Sequence, residues 1–347
     1  MKVALIGIGG MGYCHYLAYK DVADAEVVAV CDVNVEMMKE KVGNDGVRMY
    51  ASYDELLKNE EVDYVDICTP NYMHSVIAVD ALNKGINVFC EKPDAVSVEE
   101  ALKMQAAAEE SGKHLMVMRN NRYRKTAKYL KQYIADGKMG EIYCGRCGWQ
   151  RRRGIPGKGG WFTTKEQSGG GPLIDLGVHM IDLAIWLMGN PTPVAVSGCT
   201  YTKFADSDLS DSVNSSFGDK KADGIFDVED LAMGFIKFDN GACLQIEFSW
   251  ASNIAKESVF VELRGDKAGA EFRDGGLKIY TEEDGKLKDI LPDVVDDNHI
   301  HSDNLAHFAN VLLNGVEPDF TPVQGVNMIK ILEAMYKSAE TGMEVRL

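Results

Sequence analysis

Short apolar runs separated by amphipathic stretches fill the first 118 residues. Lys2–Ile6, Glu26–Cys31, Tyr64–Cys68, Asn87–Cys90 and Leu115–Met118 read as strands. Helical patterns lie between them. One begins at about Met11, one follows Ser52-Tyr53-Asp54-Glu55, one runs from about His74 to Gly85, and one follows Ser97-Val98-Glu99-Glu100 and ends near Gly112. The two Ser-x-x-Glu segments have the form of capping boxes, in which the serine and glutamate side chains satisfy orphan N–H groups of a first helical turn. Nearly continuous apolar strands alternating with helices predict a parallel sheet buried on both faces, the doubly wound α/β arrangement.

The pattern changes after a helix over about Thr126–Ala135. Glu141–Trp149, Val194–Tyr201, Leu231–Phe238, Cys243–Trp250, Val259–Arg264 and Ala270–Phe272 read as strands with few helices between them, and Asp239-Asn240-Gly241 is a hairpin signal. Such a run predicts an open, largely antiparallel sheet. Residues 203–224, rich in Ser, Asp and Gly, read as a long mobile loop. Two helical patterns, about Asp303–Leu313 and Val323–Thr341, close the chain. The expected division is an α/β Rossmann domain over 1–120 and an α+β domain over 121–347. The helices over about 303–342 are expected to pack back toward the first domain.

A formal net charge of −16 argues against nucleic acid or an anionic membrane as partner, because phosphate neutralisation needs a basic face. No unbroken apolar run reaches the roughly 18 residues of a membrane span. Eight cysteines are scattered along the chain. Cys144 and Cys147 form the one C-x-x-C. On a strand, residues three apart face opposite sides, which makes a shared bond or metal awkward. Reduced thiols imply the cytoplasm.

Gly7-Ile8-Gly9-Gly10-Met11-Gly12 matches G-x-G-x-x-G where the first strand turns into a helix. In that context Gly7 serves the tight turn, Gly9 the close approach of a pyrophosphate, and Gly12 the packing of helix on sheet, while the helix N-terminus attracts the phosphates. Asp32 ends the second strand, where an acid accepts hydrogen bonds from the adenosine ribose. A carboxylate there repels a 2′-phosphate, and Val33-Asn34 offers no cation, so NAD is expected over NADP.

Ligands of such sheets lie outside the C-terminal strand ends. Two of those ends carry Thr69-Pro70-Asn71 and Glu91-Lys92-Pro93. Lys92 is placed to donate to a substrate oxygen or relay its proton; a solvated lysine after a strand is the alternative. A second cluster, Ser168-Gly169-Gly170-Gly171-Pro172 followed by Asp175, Gly177, His179 and Asp182, predicts a helix that starts at Pro172. At helical spacing the two acids and the histidine share one face. His179 then serves as a general base, its ring oriented by Asp175 or Asp182, or as a capped structural histidine. His299, His301 and His307 lack a matched ligand spacing, so no metal is expected.

The glycine motif, Glu91-Lys92-Pro93 and the Gly169–Asp182 cluster together resemble the Gfo/Idh/MocA family of sugar and inositol dehydrogenases, over essentially the whole chain. The resemblance implies an NAD-dependent oxidoreductase acting on a sugar, glycoside or cyclic polyol. It makes Lys92 the catalytic lysine, with Asp175 and His179 binding substrate hydroxyls and His179 accepting the proton. Thr69, Pro70, Asn71 and His74 match the loop beside the cofactor, and Glu91 would lie near the nicotinamide ribose. Asn121, Arg122 and Tyr123 match a segment that reaches the site. The basic loop Arg151-Arg152-Arg153 to Trp161 resembles a branch with levoglucosan and glycoside 3-position dehydrogenases. In it Arg152 would meet a substrate oxygen and Trp161 a sugar face, although a solvated or inter-subunit loop remains open. The family also implies a homodimer or homotetramer. Two other activities fit the same motifs: glycoside cleavage with retained NAD through transient oxidation, and non-catalytic sugar or NAD sensing.

Overall fold

The computed structural model describes the whole chain except residues 44, 208, 210–217 and 219. The chain divides into two units, Met1–Asn120 with His299–Ile329, and Asn121–Asn298 with Lys330–Leu347.

The first unit is built on six parallel strands: β1 (Lys2–Ile6), β2 (Glu26–Cys31), β3 (Arg48–Tyr50), β4 (Tyr64–Ile67), β5 (Asn87–Cys90) and β6 (Leu115–Val117). Their order is β3-β2-β1-β4-β5-β6, so the chain reverses direction across the sheet between β1 and β4. That reversal leaves a crevice at the strand ends. Strand β4 is buried at every position, as a sheet covered on both faces requires. Helix α1 (Gly10–Ala18) starts on the glycine motif, α2 is Val35–Val42, α3 is Tyr53–Asn59, α4 is His74–Asn83 and α5 is Val98–Ser111. Ser97 caps α5 as its sequence predicts, accepting from the Glu100 N–H at 3.2 Å. Ser52 stands at the start of α3 but makes no side-chain capping bond. Of the two boxes expected, the structure shows the serine cap of one, while Glu100 turns its carboxylate to Ser75 and Lys103, each at 2.7 Å. Helix Ile300–Asn314 belongs to this unit and sets Phe308 edge-on against Tyr64, 5.0 Å between ring centres.

The second unit carries nine strands: β7 (Ile142–Gln150), β8 (Pro193–Tyr201), β9 (Leu231–Phe238), β10 (Cys243–Ser249), β11 (Ser258–Gly265), β12 (Ala268–Arg273), β13 (Gly276–Glu283), β14 (Lys286–Ile290) and β15 (Val345–Arg346). Their order is β14-β13-β12-β11-β7-β10-β9-β8-β15. All neighbours are antiparallel except β7 and β10. Cys147 is buried on β7 while Cys144 is only partly so. The Asp239–Gly241 turn joins β9 to β10, with Gly241 at φ +83°. Of the polar loop expected over 203–224, residues 208, 210–217 and 219 lie outside the described residues. Among the described residues Lys165–Leu187 has the length and mean hydropathy of a membrane span, although it is broken by Asp175, His179 and Asp182, and it is mostly buried inside the unit.

Candidate active site

Two sets of side chains fall on the chemistry anticipated from the sequence, one in each unit. In the first unit the glycines do what their positions demand. Gly7 has φ +94°, and a Cβ there would lie 2.6 Å from the Cys68 carbonyl oxygen. A Cβ on Gly12 would lie 1.7 Å from the Gly7 carbonyl oxygen, so only hydrogen lets α1 seat against the turn. Gly9 faces open space, Gly10 is exposed and Met11 is half-buried, which leaves the N-terminal N–H groups of α1 uncovered. Asp32 accepts from the Ile8 and Asn34 N–H groups, both at 2.8 Å. Each carboxylate oxygen retains acceptor capacity for a ribose hydroxyl. Thr69 Oγ1, beside the same turn, is buried with no protein partner. The open cradle, the helix end, the acid and the orphaned hydroxyl fit a dinucleotide.

Lys41 was not anticipated from the sequence. It reaches from α2 to the carbonyl oxygens of Ile8 and Gly9, at 2.9 and 3.0 Å, and its ammonium lies over the Tyr13 ring. The cation fixes the carbonyls of the glycine turn, and its lysine-like position in sequence, nine residues after Asp32, carries no motif that would reveal this. Gly12→Ala is expected to abolish NAD binding while a Gly9→Ala chain still folds, because only the first clashes with backbone; titration of NAD into each variant by calorimetry checks this.

Strand ends β4 and β5 are tied by His74. Its ring nitrogens lie 2.8 Å from the Pro93 carbonyl oxygen and 2.9 Å from that of Thr69. Burial pulls its basicity below the ordinary histidine value, against the two carbonyls, which favour the charged ring. His74 is therefore a brace between the Thr69 and Lys92 loops. Asn71 is buried in the same turn and Pro70 half-buried. Lys92 is half-buried beyond β5.

Glu91 is buried: one oxygen lies 2.9 Å from His15 Nε2, and the other accepts the Lys92 N–H at 3.0 Å. Burial pushes its carboxyl up, but the hydrogen bond and charge of His15, with Lys92 and His301, hold it down at about 2. His15 and its further partner Asp66 escaped the sequence reading. The signal was a lone acid in the otherwise apolar Tyr64-Val65-Asp66-Ile67.

In the second unit the predicted helix opens as a π-helical turn, Leu173–Gly177, before α-helix Val178–Leu187. Glu229 holds its start, accepting from the Gly171 and Leu173 N–H groups at 3.0 and 3.1 Å and from the Tyr336 hydroxyl at 3.0 Å. Burial pushes the Glu229 carboxyl up, and these donors pull it back. A Cβ on Gly171 would sit 2.0 Å from the Glu229 carbonyl oxygen. Gly177 packs on Phe248, where a Cβ would be 3.3 Å away.

From Gly171 to Ala184 only Asp175 and His179 reach solvent. Asp175 accepts from the indole N–H of Trp250 at 2.9 Å. His179 packs its ring 6.0 Å from that of Trp149, with Nδ1 3.4 Å from the Asn121 amide nitrogen. Asp182 does not share their exposure. It is buried, and its two oxygens accept from Arg122 at 2.8 and 2.6 Å. The π turn ends at Gly177, so His179 and Asp182 keep regular helical spacing, and it is the ion pair with Arg122 that holds Asp182 in the interior. Arg122 and Tyr123, expected to reach a substrate, are buried too, because the ion pair with Asp182 draws the segment inward. In the basic loop Arg151 stacks over Trp149, and Arg153 lies over Phe204 while donating to the Ser252 carbonyl and Asn253. Arg152 points outward, its N–H held by Glu257. Trp161 stacks on Phe162 at 3.8 Å.

A parallel sheet reversing between β1 and β4, a glycine turn that admits no side chain and an acid at the end of β2 define a dinucleotide-binding oxidoreductase. Residues 1–119 match the model described as an oxidoreductase family with an NAD-binding Rossmann fold, and residues 127–271 match the GFO/IDH/MocA C-terminal domain. This chain belongs to the Gfo/Idh/MocA oxidoreductase family. It is 34% identical to the D-glucoside 3-dehydrogenase of Escherichia coli K12, over 100% of this chain and 97% of the relative. It is 29% identical to the levoglucosan dehydrogenase of Pseudarthrobacter phenanthrenivorans, over 78% of this chain and 73% of the relative. The crystal structure of GenD2 from gentamicin A biosynthesis, in complex with NAD, superposes with a TM-score of 0.80 at 28% identity, over 100% of this chain and 96% of that one.

Proposed function

We propose that this protein is an NAD-dependent dehydrogenase of a glycoside, sugar or cyclic polyol, oxidising one ring hydroxyl to a ketone. The observation that carries the reading is the pairing of Asp175 and His179 as the only solvent-reaching groups on an otherwise buried helical segment. Polar groups on an apolar helix are costly unless they are bonded or serve a site. Similarity to a D-glucoside 3-dehydrogenase over the full chain favours glycosides.

Bound NAD supplies the hydride acceptor. The chain's residues do the rest. Asp175, fixed by Trp250, orients a substrate hydroxyl. His179 and Lys92 take up and relay the hydroxyl proton as the hydride departs. Arg152 and Trp161 extend from the basic loop toward the remainder of the sugar. The face of the second sheet that carries exposed Phe235 and Tyr280 and the Arg146–Glu262 pair is the surface through which a homodimer or homotetramer forms. The cytoplasm suits its free thiols.

A panel of monosaccharides, inositols and methyl and aryl glycosides, assayed for NADH by absorbance, tests the activity. Stoichiometric NADH with a ketone product from at least one glycoside is expected. Glycoside cleavage without net NADH would replace this reading with hydrolysis through transient oxidation. NAD binding with no turnover of any compound would replace it with a sensor.

A further inference from the structure

We propose that His15 is a positioning residue for Lys92: as a buried imidazolium between Asp66 and Glu91 it neutralises the carboxylate next to Lys92 in the chain and anchors the loop that carries the lysine. This rests on reading Lys92 as the proton-transfer group.

The geometry carries the argument. His15 is fully buried on α1. Its Nδ1 lies 2.8 Å from Asp66 Oδ2 and its Nε2 lies 2.9 Å from Glu91 Oε1. Ionised carboxylates only accept hydrogen bonds, so a ring between two of them donates at both nitrogens and is charged. The remaining Glu91 oxygen accepts the Lys92 N–H at 3.0 Å. A chain of two hydrogen bonds therefore runs from the imidazole through Glu91 to the backbone of Lys92. Burial opposes the charge on His15, but the charge and hydrogen bond of Asp66 hold its basicity well above that of a free histidine.

The other groups around the ring come from every neighbouring element. Tyr19 donates to Asp66 at 3.0 Å, and the Cys68 sulfur lies 3.3 Å from His15 Nδ1. Burial pushes the Cys68 thiol up, beyond the range in which a thiolate forms near neutral pH. His301, from Ile300–Asn314, lies 6.2 Å from the His15 ring. Tyr64 and Cys90 are buried nearby, and burial raises both, so neither ionises near neutral pH. The charges bonded to one another at the ring are thus two carboxylates and one imidazolium, with a sum of −1, on which Lys92 and His301 act from outside. An ordinary core histidine needs no such pair of acids. A cluster that is one charge short of neutral, hydrogen-bonded to the loop of a chemical lysine, is an electrostatic setting for that lysine.

The consequence is directional. Removing the imidazolium makes the surroundings of Lys92 one unit more negative, which favours its charged form. Removing the Asp66 charge does the opposite. The full chain, with NAD present, is labelled with acetic anhydride across a pH series, and acetylation of Lys92 is read by mass spectrometry. In His15→Gln the labelling midpoint is expected to move alkaline by about one pH unit, and in Asp66→Asn acidic by a similar amount. The double variant His15→Gln/Asp66→Asn, which restores the sum of −1, is expected to return near wild type. Loss of packing alone cannot produce opposite shifts that cancel. Should His15→Gln not fold, His15→Asn replaces it, with the same alkaline shift expected. Midpoints that stay within 0.2 units, roughly 0.3 kcal/mol, or that shift the same way in both single variants overturn the proposal. Lys92→Met is assayed alongside for turnover. If Lys92→Met is inactive and the midpoints do not move, His15 alone is removed from the mechanism. If Lys92→Met stays active, the reading of Lys92 falls and this proposal with it.

Discussion

Lys92→Met is expected to bind NAD with little change in affinity and to lose turnover by a factor of about 10²–10⁴, the range that a positioned acid–base group contributes. Methionine keeps most of the lysine's length and apolar stem, so the cis Lys92-Pro93 loop and its brace through His74 are retained. The nucleotide cradle of Gly7, Gly9 and Gly12 with Asp32 is on other loops of the same sheet. Separate measurement of NAD affinity by calorimetry and of kcat on the active glycoside separates the two roles. A variant with unchanged kcat would take Lys92 out of the chemistry. A variant that no longer binds NAD would make it a nucleotide ligand instead.

Arg122→Met is expected to lower the stability of the second unit by about 3–5 kcal/mol, because it strands the Asp182 carboxylate in a dry interior. Both partners are nearly inaccessible, with side chains 1% and 6% exposed. A thermal melt should fall by roughly 10 °C for a unit of this size. The double variant Arg122→Met/Asp182→Leu is expected to recover most of the loss, since an apolar pair of similar volume carries no unpaired charge. At a temperature where the single variant is folded, KM for the sugar should change less than twofold. A large rise in KM with an unchanged melt would return Arg122 to the role of substrate contact that the sequence suggested for it.

The difference between Arg122 and Lys92 shows how far the sequence could be read. Periodicity exposed the alternating strands and helices of the first unit, because a doubly covered parallel sheet writes its burial as unbroken apolar runs such as Val3–Ile6. It did not expose β3, a three-residue edge strand with one exposed and two half-buried positions, or the short helix α2. The β13–β14 hairpin was also missed, although Asp284-Gly285 marks its turn, because Lys286-Leu287-Lys288-Asp289 is exposed throughout and carries no core pattern.

Within the site, residues whose chemistry is tied to a motif, such as Gly7, Gly12, Asp32 and Asp175, were legible. Residues that act by holding others were not. Trp250, Glu229, Lys41 and His15 each come from a distant part of the chain, and their partners are set by tertiary packing that no local spacing encodes. The same packing explains why Asp182, noticed as costly on an apolar helix, pairs with Arg122 rather than with His179.

The π-helical turn at Leu173–Gly177 holds one residue more than the α-helical turn it interrupts. The departure is confined to five residues, because the chain is α-helical from Val178 onward. The extra residue bulges the wall just where Asp175 stands, while His179 keeps the regular register behind it. A different side chain at position 175 would therefore change what this turn presents to solvent without touching the buried residues that keep the helix on its sheet.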